Sequence, residues 1–142
     1  MTDLVTSLHP SAESVAAFIS ELPDGTAVTM LNLLRFRQLA SYKPGAPGAG
    51  NATQTGREAY AAYSRHVMPL LKGVGGKPVW VGDAHCSVIA PAGESWDEVL
   101  LVEYPDKYAF LKMIQSPEYL AIVHHRTAAL ADSRLIATVA SA

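Results

Sequence analysis

The chain has 142 residues, a formal charge of −2, 49% hydrophobic and 17% charged residues. That length and composition predict one globular domain over residues 1–142 and exclude a disordered segment as the working unit. Lys and Arg are scattered, so there is no basic stripe for nucleic acid or for an anionic membrane surface. Cys86 is the only cysteine, which excludes an internal disulfide and a cysteine-rich metal site.

In chain order, Ser11 to Leu22 predicts a short helix with Val15, Phe18, Ile19 and Leu22 on one face. The stretch before it, MTDLVTSLHP, lacks the basic and apolar regions of a signal peptide, and no apolar run reaches a membrane span, so a cytoplasmic protein is expected. After a PDG turn, TAVTMLNLLRF (26–36) reads as a strand buried on both sides, because apolar residues occupy both parities. Residues 37–54, rich in Gly, Pro and Ala, form a loop of a length that is usually functional or mobile. The sequon at Asn51 carries no weight without a secretory leader.

Thr55 and Glu58 have capping-box spacing and open a helix. Ala59, Tyr60, Tyr63, Val67, Leu70 and Leu71 share its apolar arc, His66 lies at the arc's edge, and Pro69 should bend or fray the last turn. KPVWVGDAHCSVIA (77–90) predicts a long strand, PAGESWD a hairpin connection, and EVLLVEYP (98–105) the returning strand. Asp106 caps a helix carrying Phe110, Met113 and Ile114. Ser116-Pro117 restarts it as N-cap and first helical residue, and SRLIATVA (133–140) is the final strand.

Apart from the N-terminal helix, the order strand, helix, strand, strand, helix, strand is the split β-α-β ferredoxin-like pattern. It predicts an α+β fold in which a four-stranded antiparallel sheet carries both main helices on one face. The core of this fold runs from about residue 26 to 140. The other face would be bare and apolar, and a second copy of the same sheet is the simplest cover, which predicts a homodimer. Trp80 is expected in the core or at that interface.

The blocks MLNLLRFR, AYAAYSRH, GGKPVWVG, WDEVLLVEYPD and SPEYLAIVHHRTAALADSRLI, in that order from Val28 to Ile136, resemble the family called domain of unknown function 1330. The resemblance implies a dimeric α/β barrel, two ferredoxin-like sheets packed face to face across a two-fold axis. Cofactor-free monooxygenases of polyketide tailoring, muconolactone isomerase and chlorite dismutase share that superfamily. The 1330 family has no settled activity, so the resemblance implies the fold and not a chemistry.

The residues themselves suggest where chemistry would be. On one helical wheel from Ser116, Arg126 falls among Tyr119, Val123 and Leu130, while His125 projects about a hundred degrees away toward Asp132. A buried guanidinium needs a carboxylate or an anionic ligand. Glu103, the acid inside VLLVEYP, is the candidate partner. Two readings stay open: an Arg126–Glu103 pair tying helix to sheet, or a pocket in which Arg126 binds a substrate carboxylate or enolate. Asn32 shares a strand face with Met30, Leu34 and Phe36, and either bonds protein groups or lines that pocket. Tyr60, Tyr63 and Tyr119 would bury their rings and place hydroxyls at a polar rim. His66 is placed as general base, with Glu103 as the alternative proton carrier.

Adjacent His124 and His125 point too far apart to chelate one metal, and neither a nucleophile elbow nor a nucleotide fingerprint is present. The expectation is a small-molecule-binding protein. If it is an enzyme, it would carry out cofactor-free proton transfer or oxygenation on a small organic acid or carbonyl compound. A non-catalytic sensor and a purely structural dimeric module are the alternatives.

Overall fold

The computed structural model describes residues 5–141. Met1 to Leu4, the first residues of the stretch read for a leader, lie outside the described residues. Helix α1 (Ala12–Glu21) precedes strand β1 (Val28–Phe36), helix α2 (Gly56–Gly73), strands β2 (Lys77–Asp83) and β3 (Glu98–Tyr104), helices α3 (Lys107–Ile114), α4 (Pro117–Leu120) and α5 (Val123–Ala129), and strand β4 (Leu130–Thr138). The sheet order is β2-β3-β1-β4 and every pairing is antiparallel. This is the ferredoxin-like arrangement, with the first and third strands at its centre.

The helix starts follow from their caps. Ser11 and Ser14 form a reciprocal box at α1, Thr55 and Glu58 another at α2, and Asp106 and Ser116 each accept an N–H one turn on. Each such cap contributes about 1 kcal/mol. Pro69 does not end α2, which runs on to Gly73. Gly56 opens it because nothing larger fits: a Cβ there would stand 2.3 Å from the Arg37 carbonyl oxygen and 2.5 Å from that of Ala129.

One face of the sheet is closed. Val28, Met30, Asn32 and Leu34 of β1 are buried beneath the helices, and Leu34, Leu130 and Val28 are the largest fully buried side chains. Each contributes roughly 1.5–3 kcal/mol through burial. The alternate residues, Leu31 opposite Leu101 and Ile136, Leu33 opposite Val99, and Trp80 opposite Leu101, form an apolar outer face that is only partly covered. The first strand is therefore not buried on both sides within one chain, and Trp80 is 60% exposed on that outer face.

Three further expectations change. β2 ends at Asp83, opposite the first residue of β3. Residues 84–90 have no strand to pair with, and Val88 and Ile89 stand in solvent. β4 begins at Leu130, directly after α5 with no residue between them. The helix from Ser116 is two pieces. Ile122 donates to the Tyr119 carbonyl at 3.0 Å and His125 to the Ile122 carbonyl at 3.1 Å, both bonds of the tighter three-residue turn. Each residue in such a turn advances about 120° in place of about 100°. Two in succession rotate α5 by roughly the angle between neighbouring residues. His125 is therefore the buried residue, and Arg126 is half-buried beside it.

Helix α1 has no buried residue and is held from its two ends. Buried Lys107 donates to the carbonyl of Ile19 and, at 2.6 Å, to that of Leu22, the C-cap of α1. A cation there complements the negative end of the helix. At the other end, the Ser7 N–H donates to Asp132 at 2.9 Å, Ser133 Oγ to the Ser7 carbonyl at 2.6 Å, and Arg126 to the Leu8 carbonyl at 2.7 Å.

Candidate functional site

Held in this way, α1 and the strap before it wall one side of a cleft of about 1290 Å³ whose floor is the helix-covered sheet face. The strand register orders the floor. Met30 lies opposite Val102 and Ala137 at one end, Asn32 opposite Leu100 and Leu135 in the middle, and Leu34 opposite Glu98 and Ser133 at the other end. Arg57, Tyr60, Tyr63, Tyr119 and Arg126 complete the polar part of the wall, and Phe18, Leu71, Phe110 and Met113 the apolar part. Asn32, Tyr60, Tyr63, Tyr119 and Arg126 thus border one space.

Their bonding decides what each can offer. Arg126 spends one donor on Leu8 and has no carboxylate within salt-bridge distance among the described residues, which leaves the rest of its five N–H groups for a ligand. Asn32 directs its amide nitrogen to the carbonyls of Leu100 at 3.2 Å and Met30 at 3.4 Å. Its amide is therefore a spent donor, and its oxygen remains as an acceptor. Tyr63 and Tyr119 bond to each other through their hydroxyls at 2.9 Å.

Tyr60 is 6% exposed and Tyr104 5%, yet neither hydroxyl has a hydrogen bond among the described residues. Among the described residues no fully enclosed side-chain polar atom lacks a partner, so both hydroxyls reach open space, and both residues line the cleft. Burial pushes the Tyr60 hydroxyl well above its ordinary value, opposed by the Arg126 charge and reinforced by Glu98. Tyr63 and Tyr104 are raised by burial as well.

Glu98 is the carboxylate on the floor of this cleft, and Glu21 of α1 lies on its wall. Burial raises Glu98 above the usual carboxylate value, Arg57 pulls it down, and Asp83 adds to the rise. Arg57 lies over the Phe36 ring, 4.7 Å from its centroid. Glu103 is on the opposite sheet face, 3.8 Å from Lys77 and 40% exposed at its side chain. The Arg126–Glu103 pair does not form, because five residues along a strand reverse the parity that separates Glu98 from Glu103. Only the first of these acids faces the cleft. Nor is Asn32 near Glu103, since it pairs with Leu100 on the other face.

His66 does not border the cleft either. Its ring stacks on that of His125 at 5.3 Å and 13° between planes, and His124 lies 4.2 Å from His125. Loop 37–54 closes over this cluster. Tyr42 Oη lies 2.6 Å from His125 Nδ1, and His124 Nε2 lies 2.7 Å from the Pro47 carbonyl oxygen. The backbone N–H groups of Arg37 and Ser41 donate to the last carbonyls of α5 at 2.8 and 2.9 Å. Gly48, at φ +71°, passes so close that a Cβ would lie 3.1 Å from His125 Cε1. Burial holds the His125 pKa down, helped by the positive potential of His124, His66 and Arg65. Among the described residues no group of three or more His, Cys, Asp or Glu is arranged to hold a metal ion, and no helix is long and apolar enough to cross a membrane.

Comparison with known proteins agrees with this architecture. The family described as Domain of unknown function (DUF1330) matches residues 50–139. A protein of unknown function from Rhodopseudomonas palustris is 40% identical over 97% of this chain and 99% of its own, with a TM-score of 0.84. At fold level, a dimeric ferredoxin-like protein of unknown function from Thermobifida fusca is 13% identical over 82% of this chain and 93% of its own, TM-score 0.50. A hydroxynitrile lyase from Passiflora edulis is 10% identical over 82% and 95%, TM-score 0.53. No curated protein matches the chain.

Proposed function

The chain belongs to the DUF1330 family, and from that premise we propose that it binds an organic acid or carbonyl compound in the cleft under α1 and moves a proton on it without a cofactor. The observation that carries this reading is Arg126, a guanidinium with no carboxylate partner among the described residues, beside the unbonded Tyr60 hydroxyl and the desolvated Glu98. Glu98 takes a proton from the carbon next to the carbonyl, the electron pair of that C–H bond forms a C=C bond, and the carbonyl π pair moves onto the oxygen. Arg126 and Tyr60 donate to the enolate oxygen so formed. Glu98 then returns the proton, and a carboxyl raised toward neutral is suited to both halves of that exchange. Asn32, its amide nitrogen bonded to Leu100 and Met30, accepts from a hydroxyl of the ligand.

The test is deuterium uptake next to the carbonyl of a set of 2-oxo acids in heavy water, with Glu98→Gln beside the wild-type protein. Uptake by the wild type and a loss of about a hundredfold or more in Glu98→Gln is the expected result. Binding without uptake would replace the enzyme by a sensor, and no binding would overturn the reading altogether.

A homodimer is part of the proposal, with the apolar outer face around Leu31, Leu101 and Ile136 covered by a second copy. A light-scattering mass of one chain at micromolar concentration would remove that element.

A further inference from the structure

The cleft changes character along its length in a way that selects the shape of its ligand. Three rows of the sheet floor run from Glu98 and Ser133, through Asn32 and Leu100, to Met30, Val102 and Ala137. The first row lies beneath Arg57, Tyr60 and Arg126, and the last among Leu71, Phe110 and Met113. Four residues separate the end rows, so the gradient from charge to hydrocarbon extends over about 13 Å. The volume, about 1290 Å³, exceeds the roughly 300–1,000 Å³ of an ordinary small-molecule pocket. A two- or three-carbon acid would meet the charged row and leave the remaining apolar wall in contact with water.

We infer that the ligand is an amphipathic monocarboxylate, its carboxylate at Arg126 and its hydrocarbon body lying along the floor to Met113. This rests on the reading of the cleft as an acid-binding site and specifies which acids it takes. The head has a defined place, because Arg126 keeps N–H donors free while Leu8 fixes its position. Glu98 stands on the same row, so a dianion is disfavoured there by the second carboxylate it would bring. The body has a defined length, since at ~1.2 Å per bond of an extended chain the 13 Å accommodates about ten carbons. The Met30 row itself carries no charged residue, and the hydrocarbon end of the ligand meets Met30, Val102 and Ala137 there.

Calorimetric titration of the full chain with the straight-chain acids from butanoate to dodecanoate, and with the matching primary alcohols, tests this. Affinity should rise about fourfold per methylene and level off near decanoate, and each alcohol should bind at least about tenfold more weakly than its acid. Ala137→Leu, which narrows the apolar row, should move the plateau to shorter chains. Equal affinity for butanoate and decanoate would overturn the inference and leave the acid-binding reading intact. Alcohols that bind as well as acids, or no binding in either series, would overturn both.

Discussion

Two adjacent residues of α5 open onto two different kinds of polar region. His125 faces a cluster in which its ring nitrogen is bonded to Tyr42, its faces are covered by His66 and His124, and loop 37–54 seals the top. Arg126 faces a cleft in which its own donors, the Tyr60 hydroxyl and the Asn32 oxygen have capacity left over. Polar groups that are packed and bonded against one another within the chain hold an architecture together. Polar groups with spare bonds facing a void are what a ligand can use. The distinction does not follow residue type, since histidine is the more common catalytic residue and here it is the structural one.

The sharpest way to break this comparison is to remove each side chain in turn. His125→Ala should lower the stability by about 2–4 kcal/mol. It deletes a buried ring, leaves Tyr42 without its partner and opens a void beneath Gly48. Urea unfolding measures it, and a loss under about 0.5 kcal/mol would show that the cluster is not structural.

A smaller effect is expected from pH. Burial depresses the His125 pKa from its ordinary 6.5, so the unfolded chain takes up a proton here before the folded one does. Stability from this group is complete above about pH 6.5 and declines as the pH falls through the lowered folded value. The urea midpoint at pH 5.5 should therefore be below that at pH 7.5, and His125→Gln should shrink the difference. An unchanged difference would place the titration elsewhere.

The smallest effect on stability belongs to Arg126→Ala, about 1 kcal/mol, from the single bond to Leu8. The same variant should lose binding of the carboxylates, a split between stability and function that His125→Ala would not produce. A destabilisation as large as that of His125→Ala would place Arg126 with the structural group.

Much of the fold was legible because its signals are local. The Thr55–Glu58 box, the Asp106 cap and Ser116-Pro117 each act within one turn, and strand parity set the face shared by Met30, Asn32 and Leu34. The length of β2 was not legible. Val88 and Ile89 have strand propensity, but a strand needs a partner, and where β3 starts is a property of the pair. The α5 phase is not legible from a single wheel because the backbone bonds tighten at Ile122 without a glycine or proline to mark the place. The resulting one-residue error exchanges the roles of His125 and Arg126. Glu98 and Tyr104 are not legible as cleft residues because apolar residues fill both parities of β3, so nothing in EVLLVEY indicates which acid faces inward; only the burial of Val102 and Tyr104, in step with Glu98, decides it.

The junction between α5 and β4 has a mechanical meaning. Arg126 lies within one turn of Leu130, and the helix passes into the strand with no intervening residue. Leu130 is fully buried and the strand is bonded along its length to β1. A side chain mounted on a loop inherits the loop's play. The Arg126 backbone inherits instead the positional tolerance of the sheet. The backbone that carries Arg126 is therefore placed relative to Asn32 and Glu98 by the same ladder that carries them, and Leu8 sets only the last atoms of the side chain.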